Sequence, residues 1–325
     1  ADWYRRVDQV KDAASRLIHA RGEHEIALVA NTSTGISMVA SGLAWQPGDR
    51  VVISNAEYPA NRYPWEDLKR FGVEIIEVAQ QPDGRIDLED VIDAINDRTR
   101  VVSVSHVQYA SGFCIDLRTI SQIIHKAGGY LCVDAIQSMG AIPVDVRTMG
   151  IDFLAADGHK WLLGPEGCGI LYVHEDLAEL LHPSVIGWMN MVDASDYGNY
   201  RFEFQPDARR FEPGSYNIAG MVGLGASIEL LLEVGIENVW SRIEALTVHL
   251  ADRLVNKGYR VFSPRGEGER SGIVIFEPPY DRPRPDQIAL DLEARDIVIV
   301  VREGRLRASP HFYNTLAQIN ALADA

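Results

Sequence analysis

Cysteine is scarce in this chain, and basic charge is never concentrated. Cys114, Cys132 and Cys168 are the only three among 325 residues. They are too few and too scattered for a disulfide framework or a zinc site, so no metal is expected. A reducing cytoplasm is the simplest setting for them. Cys132 and Cys168 lie in apolar strand-like runs, where a thiol serves as a small hydrophobe. The net charge is −15 and no Lys/Arg block offsets it, which argues against a nucleic-acid backbone as partner. No apolar run reaches the roughly 18 residues of a membrane span, and no signal peptide is visible. Repeats and low-complexity tracts are missing. The Gly-rich dinucleotide fingerprint is absent as well, which removes a nicotinamide dehydrogenase on a similar sheet. The chain opens at Ala1, not Met, in helical character, so a preceding native N-terminal segment is expected.

What is present is ordinary globular composition, 46% hydrophobic and 24% charged, enough for a sizeable core. Apolar runs alternate with amphipathic segments from about residue 25 to 182. The runs 25–30, 51–54, 73–78, 101–105, 130–134, 152–155 and 169–173 read as strands. Segments 34–44, 60–71, 88–95 and 117–127 read as helices. This rhythm predicts an α/β domain with a mostly parallel sheet. Residues 187–215, rich in Gly, Asn, Asp and aromatics, read as an extended loop. Helices over 218–234 and 236–257 follow, then short strands and two more helices. The expected division is a large domain over 1–235 and a small α+β domain over 236–325.

Lys160 follows an apolar strand and precedes the turn Leu163-Gly-Pro-Glu-Gly167. An amine at such a sheet edge, in a partly dry cleft, can lose its proton and attack a carbonyl. Asp134 closes another strand. Ligands of a parallel sheet gather at the carboxyl ends of its strands, so the two side chains can face one cleft. A Schiff-base lysine with a carboxylate for a pyridinium nitrogen is the minimum set for pyridoxal phosphate chemistry. The alternative for Asp134 is a helix cap. Asn31-Thr-Ser33-Thr34-Gly35, between a strand and a helix, suits a phosphate through backbone N–H groups and the helix dipole, or simply caps the helix. His159 could donate to the phosphate or ring hydroxyl, Gln137 could reach the ring oxygen, and Tyr58 could stack on the ring. Arg302, Arg305 and Arg307 crowd one stretch. An arginine there matches a substrate α-carboxylate with a two-point fork; the alternative is a charged strand edge.

Taken together, segments 31–42, 57–65, 105–112, 133–138, 156–169, 210–224 and 306–315 resemble the class V aminotransferases, fold-type I pyridoxal phosphate enzymes. That group includes cysteine desulfurases and isopenicillin N epimerases. The block Asp157-Gly-His-Lys160 carries most of the resemblance. It implies that Lys160 is the Schiff-base residue and Asp134 the partner of the pyridine nitrogen. It implies Gln137 near the phenolic oxygen, His159 with Ser33 and Thr34 at the phosphate, and Tyr58 at the ring-stacking position. Gln108 or Tyr109 falls over the cofactor, and Arg307 at the substrate carboxylate. Gly214 and Ser215 are implied to reach the phosphate of a partner subunit in a homodimer. Asp157 stands where many relatives have Ser or Thr. Desulfurases carry a cysteine on a loop just before the carboxylate arginine; only four residues separate Arg302 from Arg307 here, and none is Cys. The expected reaction is therefore transamination of an amino acid, followed in order by β-elimination or C–S cleavage without a cysteine, epimerisation, and a non-catalytic module of the same fold.

Overall fold

The computed structural model describes residues 2–325. Helix α1 (Asp2–Leu17) leads into β1 (Ile26–Val29), and α2 (Thr32–Gly42) into β2 (Arg50–Ser54). The segment expected as one helix over 60–71 is broken. Two 3₁₀ turns flank the single turn α3 (Tyr63–Glu66). Pro59 and Pro64 each sit in the first positions of a new turn. A proline lacks the N–H that would continue the preceding helix.

Then come β3 (Glu74–Val78), α4 (Leu88–Asp93), β4 (Thr99–Ser105), α5 (Leu117–Lys126), β5 (Tyr130–Asp134), β6 (Phe153–Asp157) and β7 (Gly169–Val173). The seven strands form one sheet, ordered β1-β7-β6-β5-β4-β2-β3. Pairs from β3 to β6 are parallel; β7 runs against both β6 and β1. A parallel neighbour needs a long crossover, whereas an antiparallel one can follow a short loop. The loop from β6 to β7 is such a return, and it carries Lys160.

Both faces of the sheet are covered. Val52, Val102, Val104, Leu131, Val133, Leu154 and Ala156 enter one core, with Ile120 and Ile124 of α5. Val51, Ile53, Val101, Cys132, Phe153 and Ala155 enter the other, with Ile36 and Val39 of α2. Side chains alternate across a strand with period two, and here both sets are apolar, as a doubly covered parallel sheet requires.

Helix α6 (Ile218–Val234) packs on α1, and α7 (Ile236–Asn256) follows it. Ile236, Val239 and Ile243 of α7 belong to the large core, while Leu246, Leu250 and Leu254 belong to a third core. One helix is thus shared between two hydrophobic units. The third core holds an antiparallel sheet of β8 (Arg260–Val261), β9 (Val274–Glu277), β10 (Val300–Arg302) and β11 (Arg305–Ala308), in the order β10-β11-β9-β8. Helices α8 (Pro285–Glu293) and α9 (Leu316–Asp324) complete it.

Candidate active site

Ser54, Ser105, Asp134 and Asp157 are the last residues of β2, β4, β5 and β6. Above these strand ends opens a cleft of about 610 Å³ whose wall includes Ser33, Tyr58, Asp134, Lys160 and Arg307. The hairpin β10–β11 of the small sheet closes its other side.

Lys160 lies three residues beyond β6. Gly158 makes this turn possible: a Cβ there would stand 2.7 Å from the Cys168 carbonyl, and its N–H donates to that same oxygen at 2.7 Å. Burial pushes the Lys160 amine below its ordinary value; Asp134 opposes that shift, and Arg307 adds to it. The amine is 5.7 Å from the centre of the Tyr58 ring. It is thus positioned and electrostatically eased toward its neutral, nucleophilic form.

Asp134 is 1% exposed and its Oδ1 accepts the Ile136 N–H at 3.0 Å. Burial, with a contribution from Glu57, pushes its carboxyl up to about 7, and Lys160 pulls it back. Glu57 escaped the sequence reading. It is buried and accepts hydrogen bonds from the Ser105 N–H and hydroxyl, Asn61 Nδ2 and Gln108 Nε2. Burial raises its carboxyl while these donors oppose the rise. The available signal was a carboxylate next to Tyr58 just past an apolar strand, which reads equally well as a solvated loop residue.

Gln108 is corrected by this network. Gln108 or Tyr109 was expected over the cofactor, but Gln108 is fully buried and does not line the cleft; its Nε2 donates to Glu57 at 2.7 Å and its Oε1 is buried without a partner. Tyr109, the other residue implied for that place, lines the cleft, stands edge-to-face with Tyr58 and donates to Glu303 at 2.9 Å.

At the other end, Asn31 caps α2. Its Oδ1 accepts the Thr34 N–H at 2.8 Å and the Thr34 hydroxyl at 3.0 Å. Thr34 is therefore committed to the cap and is not part of the cleft wall, whereas Thr32 and Ser33 are. The first helical hydrogen bond runs from Gly35 to Asn31, so the N–H groups of Thr32 and Ser33 precede it and are open to an anion. Asp157 and His159 both line the same end. His159 Nδ1 is 3.1 Å from Asp157 Oδ1, but the pair is not aligned as a hydrogen bond, and both buried atoms lack a partner.

Arg307 and Trp161 both donate to Gln137 Oε1, at 3.1 and 3.2 Å. Burial, then Arg302, pushes the Arg307 guanidinium down to about 10. Arg305, beside it on β11, is neutralised by Glu277 at 2.7 Å. Gly214 and Ser215 lie outside their own chain's cleft, and Ser215 is exposed.

The profile of the family described as "Aminotransferase class-V" matches residues 1–322. The chain belongs to the class V aminotransferase family. A relative named probable cysteine desulfurase, from Methanothermobacter thermautotrophicus, is 33% identical over 98% of this chain and 82% of its own length. An uncharacterized aminotransferase of Bacillus subtilis is 29% identical over 99% of this chain and 84% of its own. Among solved structures, the apo cysteine desulfurase from Thermococcus onnurineus superposes with a TM-score of 0.91 at 27% identity, covering 99% of this chain and 83% of that one. This class V protein is thus a fold-type I, pyridoxal-phosphate-dependent enzyme. Its cleft fits that cofactor on its own terms: a buried Asp134 awaiting a positive partner, an amine eased toward neutrality, and a helix N-terminus with free N–H groups beside an unpartnered imidazole nitrogen.

Proposed function

We propose that this class V enzyme removes the Cα proton of an amino acid and expels a substituent from Cβ, a β-elimination or C–S lyase reaction run without a cysteine nucleophile. The carrying observation is the convergence of Lys160, Asp134 and Arg307 on one cleft. The lyase direction is supported by relatives named cysteine desulfurase. Bound there, pyridoxal phosphate would supply an aldehyde for amines and an electron sink for the pair left at Cα.

Asp134 would hold the ring nitrogen protonated. Ser33, the N-terminus of α2 and His159 would hold the phosphate. Arg307, oriented by Gln137 and Ser309, would clamp the α-carboxylate, and Tyr58 would cover the ring. Lys160 takes the Cα proton as a general base. The Cα–H pair would then form the Cα=Cβ bond as the Cβ–S bond breaks, and the protonated Lys160 would return its proton to the departing sulfur. Water converts the released enamine to a keto acid and ammonia. Gly214 and Ser215 are proposed to complete a partner subunit's site in a homodimer.

Transamination is the second reading. No cysteine lines the cleft, and the tight turn between β10 and β11 leaves no room for a cysteine-bearing loop.

The deciding experiment is Lys160→Ala. The purified protein should show a visible absorbance from bound cofactor, and the variant should lose that band and fall by at least about 10³-fold in turnover. A variant with unchanged absorbance and rate overturns the assignment. Keto acid with sulfide release supports the lyase; conversion of the cofactor to its amine form supports transamination.

A further inference from the structure

Three arginines stand on one face of the β10–β11 hairpin. Arg302 is paired directly with Arg305, and Val300 with Arg307. Directly opposed residues of an antiparallel pair share a face, and diagonal neighbours are about 7–8 Å apart. Arg302 and Arg307 are such a diagonal pair. Arg305 between them is neutralised by Glu277 and stacked on Phe262 at 3.8 Å. Arg302 and Arg307 both line the cleft, and neither has a carboxylate within ion-pair distance among the described residues. Arg302's one hydrogen bond is to its own neighbour, the Val301 carbonyl. Each depresses the proton affinity of Lys160, and Arg302 depresses that of Arg307, so their fields meet in the cleft.

The turn that carries Arg302 is tied down. Glu303 accepts the Tyr109 hydroxyl from the large domain. The next carboxylate along the chain is thereby hydrogen-bonded to a tyrosine and makes no ion pair with Arg302. In a chain of net charge −15, two uncompensated guanidinium groups over one cleft are a recognition device for two anions on one ligand.

We propose that the substrate is a dicarboxylic amino acid: Arg307 binds its α-carboxylate, and Arg302 binds a second carboxylate at the far end of the side chain. The same cleft is also lined by Tyr58, Tyr109 and Val300, which suits an apolar linker. This assignment rests on the amino-acid reading above and narrows it. In the lyase case the departing thiol carries the second carboxylate away.

The test is calorimetric titration of the cofactor-loaded protein with succinate, glutarate and adipate, each against the monocarboxylate of equal carbon number. At least one dicarboxylate should bind about 10- to 100-fold tighter than its monocarboxylate match. Arg302→Gln should abolish that advantage, and Arg305→Gln should retain it. No advantage for any of the three diacids overturns the proposal, as does equal loss in both variants. Arg302 is exposed, so its replacement leaves the core intact, and a thermal melt checks this. Because no turnover is read, the outcome is separate from that of the Lys160 variant.

Discussion

Asp134 ends β5 with one hydrogen bond and almost no contact with water. The folded chain therefore holds its proton far above the ordinary carboxylate range, up to about 7. A carboxyl raised by folding contributes most to stability below its unfolded value of roughly 4, and that contribution is lost as pH rises through the folded value. In the cofactor-free protein, Asp134→Asn should therefore raise Tm at pH 8 by about 2–4 °C or more, with a smaller gain at pH 4. The same change should reduce turnover of the loaded enzyme, because the ring nitrogen loses its anion. A melt series across pH checks the first effect; equal Tm shifts at both pH values would mean that folding does not raise the Asp134 carboxyl.

At the scale of elements, the segment before Gly214 is anchored by a buried ion pair. Lys11 of α1 meets Glu212 at 2.6 Å, and both side chains are at most 4% exposed. Glu212 also accepts the Leu28 N–H of β1 at 2.9 Å and the Tyr216 hydroxyl at 2.7 Å. One carboxylate thus joins a helix, a strand and the loop expected to reach the partner subunit. Removing one member of such a pair leaves an uncompensated buried charge. Lys11→Met should cost about 3–5 kcal/mol in chemical denaturation, although methionine fills a similar volume. A loss below about 1 kcal/mol, the range of an exposed pair, would show that the pair is not what holds α1 to the sheet.

At the scale of the molecule, a homodimer is expected, with sedimentation at twice the 36.1 kDa chain mass. Active protein that sediments as a monomer would dismiss the partner-site role of Gly214 and Ser215. The large and small cores share α7, so the hairpin bearing Arg302 and Arg307 is carried by a unit joined through one continuous helix. The strands of the large sheet were legible from sequence almost to the residue, because both faces of that sheet are apolar and each strand is bounded by turn residues. Lys160 and Asp134 stood out in the sequence because each ends or follows an apolar strand, whereas Arg307 reads equally as a charged strand edge and was singled out by the family resemblance; the structure places all three on one cleft. Glu57 did not stand out, because a buried carboxylate is recognised by its donors, and two of them, Ser105 and Gln108, come from a stretch about fifty residues away in sequence. For the same reason Gln108 was misplaced: its position along the chain suited the cleft, but its amide was needed behind it. Sequence alone determined the fold class and put Lys160 and Asp134 at the ends of neighbouring apolar strands, because those follow from local pattern and order along the chain. Only the tertiary structure decided which polar groups meet: that Gln108 serves Glu57, that Glu277 neutralises Arg305, and that Arg302 has no carboxylate partner among the described residues. Such pairing depends on side-chain distances across elements, and no spacing within one segment encodes it.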